Sequence, residues 1–368
     1  PRGISWTVWG PWGPPLFHKG KVEAMVVRLI DYKKFVCAGS VMQSSYWAAV
    51  KHGTGWKPYA FEVEDEERQF SLLVLVKQVL PFWQLAYIPF APEQSSQTGE
   101  LLKQLAKALR KKLPSSVFAL RYDLPFDEVN DQNVMLYNGP RFRTCRESVQ
   151  PEGTVRIDLH WGYQAVTKGY RDRAKRALRK ASQVFEVGLW GGDGASFKRW
   201  YEIYLETAKR DGFSPRSEKY IKALLSLDGK VAGDVECKLL LAAEKRKIVG
   251  GIIVLFSKFE AVYLYGASLR FDSLSCAHVL QDYAIRMACE KGCAIYDLYG
   301  IPGPKGRGSH LAGLEVFKLS FGGQAYYRTP STDYVYAFIP WKIYAVSEYI
   351  RYHLKRRVKP QEGVQPNS

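Results

Sequence analysis

A chain of 368 residues with 46% hydrophobic and 14% aromatic side chains can bury two cores of about 150 residues each, which argues against a disordered chain. Its formal net charge of +17 points to polyanionic partners such as nucleic acid, nucleotide-linked substrates or anionic lipid. Six scattered cysteines without a Cys-x-x-Cys pair, six dispersed histidines and no apolar run of about 18 residues support neither a disulfide framework, nor a zinc site, nor a membrane span. Residues 1–15 lack a charged segment leading into an apolar one, so the expected location is cytoplasmic; a first residue other than Met leaves a processed N-terminus open.

Residues 61–63 and 70–76 alternate like strands around a charged turn, and residues 83–88 make a third strand ahead of Pro89. A helix follows from a Thr98 cap, with Leu101, Leu102, Leu105, Ala108 and Leu109 on one face, and stops at Pro114. Residues 117–122 form the next strand. The second half repeats this order. Strands are expected at 239–243, 248–256 and 261–267, then a helix striped by Leu280, Tyr283, Ala284, Met287 and Ala288 and ended by Gly292, then a closing strand at 294–298.

Two copies of hairpin, strand, helix and strand imply an α/β protein of two domains with mixed sheets. The first is expected over residues 1–150, joined by about 328–358, where an amphipathic helix over 334–357 packs back. The second spans 151–327 and opens with helical blocks at 164–185 and 196–208. Residues 359–368 read as a disordered tail.

Charge concentrates at Lys168, Arg171, Arg173, Lys175, Arg176, Arg179 and Lys180, on a helix whose small apolar stripe is Ala174, Ala177, Leu178 and Ala181. A solvated basic face would fit it, but the total charge favours phosphate contact. A second basic cluster, Lys355, Arg356, Arg357 and Lys359, fits a lipid headgroup contact and a free tail equally well.

Among residues able to do chemistry, Lys318 sits between Phe317 and the run Phe321-Gly322-Gly323. A lysine in that setting can offer a cation to developing negative charge, or it can be a surface lysine extending past a ring. Arg216 and Tyr220 stand four apart, on a helix expected to begin near Pro215, and could grip one phosphate or carboxylate. Lys51 follows the capped helix start Gln43-Ser44-Ser45-Tyr46-Trp47, and Asp123 ends a strand. No nucleophilic triad and no phosphate-binding Gly-Lys-Ser/Thr loop occurs. The acetyl-CoA loop is also missing, because Arg246 to Gly251 and Leu189 to Gly194 fail its spacing.

These residues resemble the Fem peptidyltransferases (FemA, FemB, FemX and MurM type). The resemblance covers most of the chain. It rests on Gln43-Ser44-Ser45-Tyr46-Trp47 with Lys51, on Tyr87-Ile88-Pro89 and on the basic helix. It rests too on Tyr201-x-x-Tyr204-x-x-Thr207-Ala208-x-Arg210-Asp211-Gly212-Phe213, Tyr263-Leu-Tyr265-Gly-Ala-Ser268 and Phe317-Lys318-x-x-Phe321-Gly322-Gly323. The resemblance implies tandem GNAT-like (acyl-CoA N-acyltransferase-like) domains without the coenzyme loop.

It further implies a cytoplasmic aminoacyltransferase that moves an amino acid from aminoacyl-tRNA to the third residue of a muramyl-pentapeptide precursor, lipid-linked or UDP-linked. By motif it assigns catalysis to Lys318 and Phe317. Precursor binding falls to Lys51, Arg216, Tyr220 and a tyrosine of the Tyr263/Tyr265 strand, and Asp123 matches an acidic position of that site considered for a base role. Contact with tRNA falls to Arg171, Arg173, Lys175, Arg176, Arg179 and Lys180. No cofactor is implied beyond the charged tRNA, and the expected state is a monomer in peripheral contact with the inner membrane surface. Two departures matter: Phe90-Ala91-Pro92 stands where relatives often carry Arg-Gly-Pro, and the coiled-coil arm of the FemA and FemB branches is absent, which favours the compact FemX branch. An acyl-CoA-dependent acyltransferase and a non-catalytic RNA-binding protein are the competing readings.

Overall fold

The computed structural model describes residues 25–357 except 38, 66–67, 93–97, 126–138, 147, 232–234, 271–273 and 304–311, and within its helices it leaves out the side chains at 98, 312 and 352–357. The N-terminal 15 residues, the tail at 359–368 and the side chains of the second basic cluster therefore lie outside the described residues.

The first half runs β1 (Val26–Ile30), a short 3-10 turn, α1 (Ser45–His52), β2 (Lys57–Glu64), β3 (Gln69–Leu80), β4 (Trp83–Pro89), α2 (Thr98–Arg110), β5 (Val117–Asp123) and β6 (Phe142–Thr144). Then follow β7 (Gly153–Asp158), α3 (Gly162–Lys168), α4 (Asp172–Ala181), β8 (Glu186–Leu189), α5 (Gly194–Asp211) and α6 (Glu218–Ser226). The second hairpin and its partners are β9 (Glu236–Glu244), β10 (Lys247–Phe256), β11 (Glu260–Ser268), α7 (Cys276–Glu290) and β12 (Ile295–Asp297). The chain ends with α8 (Ala312–Leu319), β13 (Gln324–Tyr327), β14 (Thr332–Val335) and α9 (Phe338–Arg357).

These strands build two mixed sheets of seven, ordered β1-β2-β3-β4-β5-β14-β6 and β13-β7-β12-β11-β10-β9-β8. Each has one parallel pair, β4 with β5 and β11 with β12, and every other pairing is antiparallel. The reason is connectivity: each parallel pair is joined by a helix, α2 or α7, as a parallel crossover requires. The strand beside β5 is β14, from the end of the chain, whereas the strand beside β12 is β7, which precedes its own hairpin. The repeat is thus completed from opposite directions in sequence.

The expectation of an α/β protein with tandem mixed-sheet units is borne out. Several local expectations need correction. Residues 334–335 belong to β14, not to the last helix: Tyr334 and Val335 are buried between β5 and β6, where hydrogen bonding to two neighbours outweighs helical continuation. Pro340 sits in the first turn of α9, where a missing N–H costs nothing because that turn has no intrahelical acceptor. The block 164–185 breaks at Gly169 into α3 and α4 and ends ahead of β8.

One hydrophobic core runs through both halves. Tyr46, Trp47, Leu73 and Leu75 of the first meet Trp200, Tyr204, Ile221, Leu239 and Ile253 of the second in a single buried cluster. Polar ties cross the same junction. The Tyr46 hydroxyl donates to the Leu224 carbonyl, and the buried Glu260 carboxylate accepts from the Val41 N–H and the Ser40 hydroxyl, each at 2.9 Å. Each large apolar side chain fully buried there contributes about 1.5–3 kcal/mol, so the two sheets are held as one body.

Candidate active site

The motif around Gln43 is a set of local solutions that aim one lysine. The Gln43 amide accepts from Leu73 N–H and donates to the Pro89 carbonyl, bridging β3 and β4. Ser44 caps α1 by accepting from Trp47 N–H, leaving Lys51 in the last turn, where a cation suits the helix dipole. The Lys51 ammonium lies 4.4 Å from the centre of the Trp47 ring. Burial, then the neighbouring Arg216 and Lys77 cations, pull it down to about 8. Lys77, on β3, did not stand out in the sequence because one lysine in a strand carries no motif.

Arg216 reaches the same place from α5 and α6. It lies before the Ser217 cap of α6, not on the helix as the spacing suggested, because Ser217 accepts from Tyr220 N–H and starts the helix there. Two tyrosines four residues or fewer apart on α5 hold its backbone: the Tyr204 hydroxyl accepts from Arg216 N–H at 3.2 Å, and the Tyr201 hydroxyl donates to its carbonyl at 3.1 Å. That is the physical content of the Tyr-x-x-Tyr motif. The guanidinium lies 5.7 Å from the Tyr220 ring centre, and the Tyr265 hydroxyl is 3.5 Å from that of Tyr220. Lys51, Arg216, Tyr220 and Tyr265 are therefore brought together, in a cationic, phenol-lined cleft where the two halves meet.

Tyr263 goes elsewhere. A bulge in the β10–β11 pairing inserts Leu264 between partners, so that Tyr265 faces Arg216 and Tyr220 while Tyr263 turns towards the other core. There the Lys318 ammonium stands 5.7 Å from the Tyr263 ring centre. The two tyrosines thus serve two different neighbourhoods.

Lys318 is in the last turn of α8 and only 4% exposed. Its ammonium donates to the carbonyls of Tyr299 and Gly300, the latter at 2.7 Å. Tyr299 and Gly300 both hold left-handed backbone (φ 54° and 45°), which turns the two carbonyls towards it. For a tyrosine this conformation costs about 1–2 kcal/mol. Asp297 fixes it by accepting from Tyr299 N–H at 2.7 Å. Burial lowers Lys318 to about 7, opposed by the Asp297 charge. It is neither a surface lysine nor a fixed cation; near neutrality it can be either charged or neutral. Phe317, next to it, packs edge-on against His278 and Phe321 and anchors α8.

A hydrogen-bond chain joins Asp123 to the Lys318 loop. The Asp123 carboxylate accepts from the Tyr87 and Ser331 hydroxyls; the Gln150 amide donates to the Tyr87 oxygen; and the Tyr299 hydroxyl donates to the Gln150 carbonyl oxygen. Burial raises the Asp123 carboxyl above the usual range, against those hydrogen bonds. Gln150 and Tyr299 were not singled out from sequence, since neither carries a charge or a motif.

The basic helix α4 exposes Arg171, Arg173, Lys175, Arg176, Arg179 and Lys180, with Ala174 and Ala181 buried. It is attached to the lysine turn directly: Arg171 N–H donates to the Ser320 carbonyl, and a side chain at Gly322 would strike the Gly169 backbone at 2.4 Å. Glycine at 322, with φ 79°, is what lets the two segments touch. Gly250 and Gly251, by contrast, lie inside β10 beneath Cys276 and Trp200, so they pack helices on a sheet and cradle no phosphate. Among the described residues no group of His, Cys, Asp and Glu could hold a metal ion.

Residues 236–331, which run from β9 to just short of β14 and include Lys318, match the FemAB family model. That segment, and not the chain as a whole, is similar in sequence to the FemAB family. The resemblance read from the motifs is therefore shown where Tyr263, Tyr265, Phe317 and Lys318 lie. No curated protein sequence matches the chain. Among solved structures, FemX is 17% identical over 87% of this chain and 99% of its own, with a TM-score of 0.72, and the fold is FemX-like over that length. A conserved protein of unknown function from Bacteroides thetaiotaomicron is 9% identical over 79% of this chain and 90% of its own, at 0.50. A tandem GNAT protein from the clavulanic acid biosynthesis pathway is 12% identical over 84% and 98%, at 0.49. No coiled-coil arm stands between α6 and β9 among the described residues.

Proposed function

We propose that this Fem-type protein is an aminoacyltransferase that moves an amino acid from aminoacyl-tRNA to the side-chain amine of the third stem-peptide residue of a muramyl-pentapeptide precursor. The observation that carries the reading is Lys318: a buried, carbonyl-held lysine in the segment with the FemAB signature, between a cationic cleft and an exposed basic helix. The cleft of Lys51, Lys77 and Arg216 suits the phosphates and carboxylates of the precursor, with Tyr220 and Tyr265 supplying hydroxyls. Helix α4 suits the phosphate backbone of tRNA, which it would hold without reading sequence.

In the reaction, the neutral amine attacks the ester carbonyl carbon; the new C–N bond forms, the C–O bond to the terminal ribose breaks, and the proton lost by the amine passes to the ribose oxygen. The ester is already activated, so the protein's work is to orient the partners and stabilise the oxyanion. Protonated Lys318 supplies the charge for that oxyanion. Asp123 acts at a distance, through Tyr87, Gln150 and Tyr299, as a positioning residue.

The test is direct: the protein is incubated with charged tRNA pools and with each muramyl pentapeptide, UDP-linked and lipid-linked, and the product is weighed. A gain of one or more aminoacyl residues is expected. Product formed from acyl-CoA without tRNA, or RNA binding with no turnover, would sink the proposal.

A further inference from the structure

The last helix carries a surface that the cleft between the two halves does not use. Ile339, Ile343, Val346 and Ile350 follow at i, i+4, i+7 and i+11, and all four are exposed, from 49% to 77%. Phe338 and Tyr349 border them. Soluble helices rarely present a continuous aliphatic row to water.

The charge around that row has one sign. Within α9 the sequence places Lys342, Arg351, Lys355, Arg356 and Arg357, against a single acid, Glu348. Glu348 is turned inward, where its carboxylate receives the Arg121 guanidinium at 2.8 Å. Lys342 and Arg351 are exposed beside the row, and Arg146 of the neighbouring β6 end lies 4.7 Å from the Tyr349 ring centre. A cavity of about 350 Å³ lies beside the helix at this point, lined by Cys145, Arg146, Lys342, Val346 and Tyr349 among others. No helix among the described residues is long and apolar enough to cross a membrane. An aliphatic row flanked by cations and aromatic rings is the pattern of a helix that lies in the plane of a lipid interface.

We propose that α9 docks this protein on the surface of an anionic phospholipid bilayer, with Ile339, Ile343, Val346 and Ile350 entering the headgroup boundary and Lys342, Arg351 and Arg146 facing the phosphates. The helix has nothing to repel such a surface, since its one acid is tied to Arg121. The inference is independent of the transfer reaction.

The experiment is vesicle flotation of the full chain, with phosphatidylcholine vesicles lacking or containing phosphatidylglycerol, at low and high salt. Binding is expected only to the anionic vesicles and weaker in salt. Ile343→Asp with Val346→Asp should lower the vesicle-bound fraction at least about tenfold. Lys342→Gln with Arg351→Gln, two exposed changes that leave the core untouched, should weaken binding about fivefold per cation removed. Thermal unfolding of each variant checks that it folds. No binding of the wild type to anionic vesicles, or binding that both double variants retain, overturns the proposal. So does a concentration-dependent dimer that Ile343→Asp abolishes, which would make this face a contact between copies of the chain. Flotation reads no catalysis, so it can fail while transfer succeeds, and the reverse.

Discussion

The two halves end their repeats with the same three residues, Tyr-Asp-Leu, at 122–124 and 296–298, yet treat the aspartates in opposite ways. In both, the tyrosine is fully buried and ties strand to crossover helix: Tyr122 donates to the Leu102 carbonyl of α2, and Tyr296 to the Gln281 side chain of α7. The aspartates that follow both lie at the C-terminal end of a strand paired in parallel. Asp297 meets Arg328 at 2.8 Å and Arg156 at 3.4 Å, with Thr154 and Tyr299 N–H donating as well, and these outweigh burial to hold it below the usual carboxylate range. Asp123 accepts from two neutral hydroxyls and feels the Arg121 and Arg328 charges without an ion pair to either, and burial outweighs them and pushes it up. One aspartate is a structural anchor beneath the lysine loop. The other is left poised, hydrogen-bonded towards that loop through Tyr87, Gln150 and Tyr299 and sharing the charge of Arg328 with Asp297.

The largest expected effects should fall at the second strand end. Lys318→Ala, which removes the group that Asp297 positions through Tyr299, should lower transfer at saturating substrate by about 10²-fold or more while leaving precursor affinity within a few-fold. In the wild type, the lysine-dependent part of the rate is present below pH about 7 and lost as pH rises through it, because Lys318 must be protonated to stabilise an oxyanion. A variant near the wild-type rate, or a profile without that limb, would break the assignment.

Asp297→Asn should be destabilising by about 3 kcal/mol, since it strands buried Arg328. The folded carboxyl is held low, so its contribution is present above about pH 3.9 and lost as pH falls through the folded value. Urea unfolding of the variant and the parent should therefore converge in acid. Equal stability at pH 7 would contradict the anchor role.

Smaller changes are expected in the cleft. Arg216→Ala and Lys51→Ala should each weaken precursor binding about tenfold, measured by calorimetry, with little change in the rate at saturation. If the rate falls and binding stands, the division of labour between cleft and lysine loop is wrong. The smallest effect belongs to Asp123→Asn. Its folded value is raised, so the acid stabilises the fold most at low pH and loses that contribution as pH rises. At pH 7 the substitution should stay within about 1 kcal/mol of the parent or above it, and transfer should drop only modestly. A loss as large as that of Asp297→Asn would erase the contrast.

The strands of both hairpins and the two crossover helices were legible because apolar periodicity there is unbroken, as in residues 70–76 and 248–256, which fall inside β3 and β10. β7, β13 and β14 were not, because they are four to six residues long and gain their stability from partners distant in sequence. In the site, Lys318, Lys51, Arg216 and Tyr220 carried local motifs. Gln150, Tyr299, Lys77 and Asp297 did not, although the repeated Tyr-Asp-Leu was a signal available for Asp297.

What the sequence by itself determined was the duplicated α/β pattern, the missing coenzyme loop, the basic helix and the lysine between Phe317 and two glycines. These are local properties, fixed by periodicity, spacing and residue type. Only the tertiary structure decided that Lys318 is buried on two inward-turned carbonyls, that a bulge sends Tyr263 and Tyr265 to different neighbourhoods, and that two like aspartates take opposite charge environments. Each of those depends on which groups folding places next to one another, and the partners lie at separations such as 18 residues, for Lys318 and Gly300, or 208, for Asp123 and Ser331.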